Sequence, residues 1–291
     1  MTDLRDQAVH LYDGYTHEHL DRRRLLREMT ALAGSLAAAE ALIAGIGASP
    51  AAAQIVPADD PRLLIARDTD ERAGKPLTVY SAKPKDAKAI RGVVLVIHEN
   101  RGLNAHIQDV ARRIALEGFI AAAPDFLSVQ GGTPADPDQA RTMIGQADYD
   151  LLLNQAVALL DSAATSGGRR RRAGAIGFCW GGAFVNRLAV AAGPKLAAGV
   201  SYYGPAPAPA EAAKVEAALM VHLAGNDQRV NATGLPWIEA LRAAGKRVEG
   251  HVYPGVEHAF NNDTSAERYD KAAADLAWSR TVAFLRRELD R

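Results

Sequence analysis

The strongest constraint on the fold is the segment Gly-Phe-Cys-Trp-Gly at residues 177–181. Small and apolar residues lead into it from residue 173, and residues 183–192 have the composition of a helix. Glycines on both sides of Cys179 let the backbone turn sharply from a strand into a helix, and such a turn lifts the middle side chain above the sheet. The segment therefore predicts a strand, a tight turn carrying Cys179, and a helix.

Cys179 is the only cysteine in the chain. A single cysteine forms neither an internal disulfide nor a multi-cysteine metal site, so a thiol role is the remaining functional option. The alternative is a buried small hydrophobic residue, which free cysteines commonly are. The two glycines and the strand-to-helix context favour a nucleophile.

Charge and composition exclude some classes of function. The 291 residues include 34 basic and 34 acidic side chains, and 48% of the residues are hydrophobic, which suffices for a sizeable core. Zero net charge gives no basis for nucleic-acid binding by bulk electrostatics. The basic run at residues 169–172 follows Ser-Gly-Gly and is interpreted as a solvated loop. We therefore expect no nucleic-acid partner.

Residues 1–53 are predicted to be an N-terminal extension. Three arginines at 22–24, two leucines, a weakly apolar run at 31–48 and the alanines 51–53 resemble a twin-arginine export signal, which would place the mature protein in the periplasm. The run is too polar and too rich in glycine for a convincing membrane span. The alternative, favoured by Glu40 within the run, is a helical arm packed on the body of a cytoplasmic protein.

Residues 54–291 alternate between strand and helix patterns and are expected to form one domain. A continuous apolar run at 92–98, rich in β-branched residues, is typical of a central parallel strand. Predicted strands lie at 63–66, 76–82, 92–98, 119–123, 174–178, 198–203, 218–224 and 247–253, with helices at 107–116, 136–164, 183–192, 236–244 and 265–289. The pattern predicts an α/β-hydrolase fold with a doubly wound, mainly parallel sheet. The connection after residue 203 is too short for a large lid domain.

Four loops at the carboxyl ends of predicted strands carry Glu99, Cys179, Asp227 and His258. Open α/β sheets place their ligand groups in these loops, and the order nucleophile, acid, histidine is that of the α/β-hydrolases. A positioned His258 can take the thiol proton, and Asp227 can hold the other ring nitrogen. Taken alone, Asp227 could be a turn former and His258 a surface or core residue.

Backbone amides near Cys179 are expected to bind the oxyanion. The elbow supplies the N–H of Trp180, and the loop after the 92–98 strand supplies a second donor, predicted to be Asn100.

The sequence resembles the dienelactone hydrolase (carboxymethylenebutenolidase) family. The matching stretches are 98–103 (His-Glu-Asn-Arg-Gly-Leu), 123–125 (Ala-Pro-Asp), 177–182 (Gly-Phe-Cys-Trp-Gly-Gly), 202–204 (Tyr-Tyr-Gly), Asp227 and 258–260 (His-Ala-Phe). The resemblance implies a triad of Cys179, His258 and Asp227. It also implies that Glu99 contacts the resting thiol and helps to take its proton when substrate displaces the thiol toward the histidine. The alternative role for Glu99 is to cap the helix that follows.

One departure from the family concerns substrate binding. Members that act on dienelactone carry an arginine four residues after the histidine, where this chain has Asn262. A second family arginine corresponds loosely to Arg141, and Arg101 is a candidate substitute for the missing carboxylate clamp. Tyr203 either lines the cleft or packs in the core. We therefore expect substrates other than dienelactone itself.

The sequence thus predicts a hydrolase of small esters or lactones that works through a thioester acyl-enzyme. This chemistry implies no metal or organic cofactor. An acyltransferase and a non-catalytic, thiol-based sensor or binding protein on the same scaffold are the alternatives. The sequence does not distinguish a monomer from a homo-oligomer.

Overall fold

The computed structural model describes residues 4–17, 21–46, 55–165, 168 and 170–290. Its centre is a single eight-stranded sheet with the order β1-β2-β4-β3-β5-β6-β7-β8. The first two strands pair antiparallel, β2 also pairs antiparallel with β4, and all other neighbours are parallel. The strands are β1 (Leu63–Arg72), β2 (Lys75–Pro84), β3 (Gly92–Ile97), β4 (Phe119–Asp125), β5 (Ala173–Phe178), β6 (Ala198–Tyr202), β7 (Ala218–Ala224) and β8 (Val248–Tyr253).

Helices cover both faces of this sheet. One apolar core lies between the sheet and α4 and α9, and a second lies between the sheet and α6, α7 and α8. Every residue of β3, β5, β6 and β7 is buried, as expected for strands covered on both faces. The helices are α4 (Ala105–Leu116), α5 (Pro137–Gly145), α6 (Tyr149–Thr165), α7 (Trp180–Ala191), α8 (Gln228–Ala243) and α9 (Lys271–Leu289). The predicted doubly wound, mainly parallel sheet is confirmed.

All five predicted helix starts differ from the structure, and two of them differ by six residues or more. Helix α8 starts at Gln228 rather than at 236, because the Asp227 carboxylate caps it by accepting the Val230 amide, and Pro236 lies inside the helix. Helix α9 starts at Lys271 rather than at 265, because Asp270 caps it through the Ala273 amide. The predicted helix at 136–164 is two helices, α5 and α6, separated at residues 146–148.

Three helices form the N-terminal extension: α1 (Leu4–His17), α2 (Arg22–Ala33) and α3 (Leu36–Ile46). They share a small apolar core that includes Tyr12, Tyr15, Leu25 and Met29. The end of α3 is tied to the body of the protein, since the Ser265 hydroxyl donates to the Ile46 carbonyl at 2.6 Å. The alanines 51–53 of the export-signal interpretation lie outside the described residues, and both interpretations of the extension's cellular role stay predictions.

Within the described ranges, no single helix combines the length and apolar character needed to cross a membrane. Helices α2 and α3 meet that test only when taken together, and they are bent by 111° relative to one another.

Candidate active site

Cys179 lies on the tight turn between β5 and α7. Its backbone has φ 53° and ψ −113°, a conformation that costs energy for a residue with a side chain and that concentrates at functional sites. The turn leaves no room at its glycines: a Cβ on Gly177 would stand 2.1 Å from the Gly181 carbonyl oxygen, and one on Gly181 would stand 2.5 Å from those of Ile97 and His98. The sharp turn expected from the sequence is therefore present.

Asp227 and His258 meet beside this turn. His258 Nδ1 and Asp227 Oδ2 are 2.5 Å apart, and both side chains are almost fully buried. Cys179 is also a hydrogen-bonding partner of the His258 ring. Since Nδ1 is taken by the carboxylate, Nε2 is the nitrogen available to the sulphur. The three side chains follow β5, β7 and β8, and they form one connected row.

The electrostatics of this row favour a charged imidazole. Burial alone would lower the pKa of His258, but the neighbouring Cys179 and Asp227 outweigh it and raise that pKa to about 10. Burial would raise the pKa of the Asp227 carboxyl, but the adjacent His258 and the Val230 amide outweigh it and lower that pKa to about 2. At neutral pH the arrangement therefore favours an imidazolium flanked by a carboxylate and the sulphur.

Glu99 lies in the loop after β3 with 6% of its surface exposed. Its Oε2 accepts a hydrogen bond of 3.0 Å from Asn262 Nδ2. The Asn262 oxygen in turn accepts from the Thr264 amide and hydroxyl, so the amide group is fixed in one orientation. Asn262, placed among the substrate-binding candidates by sequence, therefore holds Glu99. The helix after this loop is capped by Asn104 and not by Glu99.

Tyr203 packs directly on the histidine. Its ring centroid lies 5.1 Å from that of His258, and its side chain is fully buried. Burial, with the nearby Glu99 and Cys179, raises the pKa of its phenol well above the usual value. Its backbone has φ 38°, another strained value beside the site. Of the two predicted alternatives for Tyr203, the structure therefore shows the second, a side chain packed in the core against the His258 ring.

The two predicted oxyanion residues flank Cys179. Trp180 is the first residue of α7, where a backbone N–H has no carbonyl of its own helix to bind. Its indole stacks on the His98 ring at 5.4 Å, and His98 is held between the Glu99 carbonyl and the Phe126 amide. Asn100 lines the same cavity as Cys179 and Trp180. Both residues thus line the cavity together with Cys179, and their role as oxyanion donors stays a prediction.

A cavity of about 560 Å³ opens above the thiol, within the size range of sites for small molecules. Arg141 lines this cavity, whereas Arg101 lines a different one beside α4. Arg229, which the sequence reasoning missed, also lines it. Its position two residues after Asp227, at a strand-to-helix turn, was the available signal. The cavity lining is Thr16, Asn100, Arg141, Thr142, Ile144, Gly145, Cys179, Trp180, Ala183, Pro205 and Arg229.

No group of three or more histidine, cysteine or acidic side chains with the arrangement of a metal site occurs in the part of the chain that the structure describes.

The strand order, the elbow and the position of the three side chains define an α/β-hydrolase. A solved structure from Klebsiella pneumoniae subsp. pneumoniae MGH 78578, provisionally named a dienelactone hydrolase, superposes with a TM-score of 0.70 at 28% identity. It covers 76% of this chain and 98% of its own. The predicted fold class is therefore confirmed.

Sequence comparison narrows the class to one family. The profile of the dienelactone hydrolase family matches residues 77–289. A protein of Escherichia coli (strain K12), provisionally named a carboxymethylenebutenolidase, is 32% identical over 254 residues, which is 82% of this chain and 93% of the relative. Another with the same provisional name, from Methylorubrum extorquens (strain ATCC 14718 / DSM 1338 / JCM 2805 / NCIMB 9133 / AM1), is 30% identical over 90% of this chain and 93% of its own length. The chain belongs to the dienelactone hydrolase family, which confirms the prediction of a carboxylic ester hydrolase.

Proposed function

We propose that the protein hydrolyses small esters or lactones through a thioester on Cys179. We further propose that residues 54–291 are the hydrolase body and that 1–53 are an extension of it. The observation that carries the proposal is the row Cys179–His258–Asp227, in which His258 and Asp227 are 2.5 Å apart and Cys179 lines a cavity. That row contains a nucleophile, a base and the group that orients the base.

In the first half of the reaction, the Cys179 sulphur attacks the carbonyl carbon and the carbonyl π electrons move to oxygen. The amides of Trp180 and Asn100 bind this oxyanion. The tetrahedral intermediate collapses, the bond to the leaving oxygen breaks, and His258 Nε2 gives its proton to that oxygen. The products of this half are a thioester and a free alcohol, or the ring-opened hydroxyl group of a lactone.

Water completes the cycle. His258, now neutral, removes a proton from water as it attacks the thioester carbon. Collapse of the second intermediate breaks the C–S bond and releases the acid, while the sulphur returns to its ion pair with His258. Asp227 keeps its charge throughout and stabilises the imidazolium each time it forms.

Glu99 is a second carboxyl group near the site, since both it and Cys179 act on the buried Tyr203 phenol. We propose that it helps to take the proton of any thiol that is still protonated when substrate enters, as the family resemblance implies, so that the sulphur attacks as a thiolate paired with His258. Its burial and its single fixed donor, Asn262, hold the carboxylate where it can do so.

The cavity charge bears on substrate choice. Arg141 and Arg229 both line it, and among the described residues no acidic side chain lines it. Asn262 replaces the arginine with which family members bind a substrate carboxylate, and this change alone would favour uncharged substrates. The guanidinium groups of Arg141 and Arg229 offer another way to bind a carboxylate. A panel of esters and lactones, with and without a carboxylate, measures which influence dominates.

The direct test is hydrolysis of short p-nitrophenyl esters, which we expect stoichiometric iodoacetamide to abolish. Cys179→Ala should be inactive, and Cys179→Ser should be much weaker because His258 and Glu99 surround a thiol. Full activity in Cys179→Ala would overturn the nucleophile assignment. A burst of p-nitrophenol without turnover would point instead to an acyltransferase lacking its acceptor, or to a sensor.

A further inference from the structure

Helix α1 of the extension forms part of the catalytic cavity. Thr16, near the end of α1, lines the same cavity as Cys179 and Arg141. The carbonyl of Thr16 also accepts a hydrogen bond of 3.5 Å from the Asn100 side chain, in the loop assigned to oxyanion binding. The extension therefore contacts the site on the side where a substrate has to fit.

Arg141 is oriented by the same helix. Its guanidinium carbon lies 4.2 Å from the centre of the Tyr15 ring, and its Nη1 donates to the Tyr15 carbonyl at 2.7 Å. Two contacts of different kinds from one residue fix both the position and the plane of the guanidinium. Without α1, this arginine would have neither the ring nor the carbonyl to hold it.

Tyr15 is itself firmly placed. Its side chain is 4% exposed and lies in the apolar core that α1 shares with α2 and α3. Burial, with a hydrogen bond from its hydroxyl to Asp138, raises the pKa of Tyr15 to about 12. The ring also meets the Tyr12 ring edge-on at 6.1 Å. Tyr15 is therefore a rigid support for Arg141.

Tyr12 attaches α1 to the body at a second point. The Arg101 guanidinium donates to the Tyr12 hydroxyl and lies 5.8 Å from its ring centre. Arg268, on the segment before α9, lies 5.4 Å from the same ring. These contacts explain why Arg101 does not face the thiol, since α1 engages it elsewhere. They also fix α1 over the cavity.

We propose that helix α1 determines substrate specificity, with Thr16 limiting the size of the substrate beside Cys179 and Tyr15 positioning Arg141 to bind a carboxylate on it. The proposal deepens the esterase function and rests on it for its meaning. The expected substrates are compact esters or lactones in which a negative charge lies within reach of Arg141. Thr16 is a specificity-determining residue, and Tyr15 is a positioning residue.

Alkylation of the full-length protein tests the role of Tyr15 without any turnover. Because Cys179 is the only cysteine, mass gain with iodoacetate or iodoacetamide reports on this thiol alone. The ratio of the two alkylation rates measures the attraction of a carboxylate to the cavity. We expect Tyr15→Ala to lower this ratio roughly 3-fold or more, and Tyr15→Phe, which keeps the ring, to restore most of it. Arg141→Met sets the lower limit, and His10→Ala, on the exposed side of α1, is the control.

Ester hydrolysis tests the role of Thr16. We expect Thr16→Phe to lower kcat/KM for p-nitrophenyl octanoate roughly 10-fold more than for the acetate, because the added ring occupies the space of the longer chain. His10→Ala should keep the wild-type profile. Folding of each variant is checked by thermal unfolding, and if Tyr15→Ala does not fold, Thr16→Phe still decides whether α1 faces the substrate.

The two proposals fail in different ways. Wild-type alkylation ratios in Tyr15→Ala, together with a wild-type chain-length profile in Thr16→Phe, would overturn the role of α1 and leave the esterase function standing. Absence of ester hydrolysis by the wild-type protein would overturn the esterase function, while the alkylation ratios would still measure the effect of α1 on the thiol.

Discussion

At the scale of single residues, the contact between Glu99 and Asn262 orients the carboxyl group of the loop after β3. Asn262 is 1% exposed and accepts from Thr264 with its oxygen, which leaves its nitrogen to face the carboxylate. An asparagine at this position therefore presents a hydrogen-bond donor to the Glu99 carboxyl group. Asn262, which occupies the position of the family's substrate-binding arginine, instead binds Glu99.

Replacing Asn262 by aspartate should separate this role from substrate binding. The new side chain keeps the contacts with Thr264 but loses the donated N–H, and at neutral pH it places a second carboxylate against Glu99, which a shared proton relieves only at lower pH. We expect kcat/KM at pH 7.5 to fall roughly 10-fold, and the ratio to wild type to recover as the pH is lowered toward 5. The measurement is the pH profile of p-nitrophenyl acetate hydrolysis.

The double variant Glu99→Gln/Asn262→Asp is the matched control for that experiment. It removes the like-charge pair, so the ratio of its activity to that of Glu99→Gln should not change with pH. A pH-dependent ratio in this pair would mean that the Asn262 effect does not act through Glu99.

At the scale of elements, the elbow between β5 and α7 is the part of the site that could be predicted most fully. Close approach of Gly177 to Gly181 is a local property, so five consecutive residues suffice to indicate it. The order of Cys179, Asp227 and His258 along successive strands could also be read from the chain, because parallel strands end at one edge of a sheet.

Element boundaries that depend on caps were harder to predict. The Asp227 carboxylate accepts a hydrogen bond from the Val230 amide, which caps α8, and it also contacts the His258 ring. Pro236 suggested a helix start, but it lies in the middle of α8. A proline is best tolerated in the first turn of a helix, because it has no backbone N–H to donate. Here Pro236 lies in the helix interior, since Trp237 and Leu241 pack against the sheet and hold this part of α8 in place.

The elbow predicts a specific stability effect. In Gly181→Ala the added methyl group would collide with the carbonyls of Ile97 and His98, and we expect the free energy of unfolding to fall by about 2–3 kcal/mol. Gly145→Ala is the matched control, since nothing lies within 4 Å of its Cβ position. Urea denaturation of both variants measures the difference, and equal stability would contradict the crowded elbow.

At the scale of the whole molecule, the charged pair in the site also makes stability depend on pH. The pKa of His258 is raised from 6.5 to about 10, so its contribution is complete below pH 6.5 and is lost as the pH rises toward 10. The pKa of Asp227 is lowered from 3.8 to about 2, so its contribution is complete above pH 3.8 and is lost as the pH falls toward 2. The two together stabilise the fold most between about pH 4 and 6.5.

Asp227→Asn should therefore lower the Tm more at pH 5.5 than at pH 9.5. The exposed Asp150→Asn is the control, and its Tm difference from wild type should not vary with pH in this way. Thermal unfolding across the pH range decides the matter, since a constant difference for Asp227→Asn would contradict the raised pKa of His258. Cys179→Ala should move the alkaline loss of stability to lower pH, because the sulphur contributes to that raised pKa.

The arrangement of the extension is what the sequence could least predict. Arg101 and Arg141 were both candidates for substrate binding, and a pattern of residues does not show which arginine another helix engages. The contacts of Tyr12 and Tyr15 decide it, and they join residues about 90 or more positions apart along the chain. Such contacts depend on tertiary packing and leave no periodic signal in the sequence.

The position of the end of α9 matters for anyone who attaches this protein to a surface. Leu289, at the end of α9, packs against Gly92 and Gly174 at the amino ends of β3 and β5, whereas Cys179 lies past the carboxyl end of β5. With six residues in that strand, about 20 Å of sheet separates the two. A linker joined after α9 would therefore leave the cavity facing the solution.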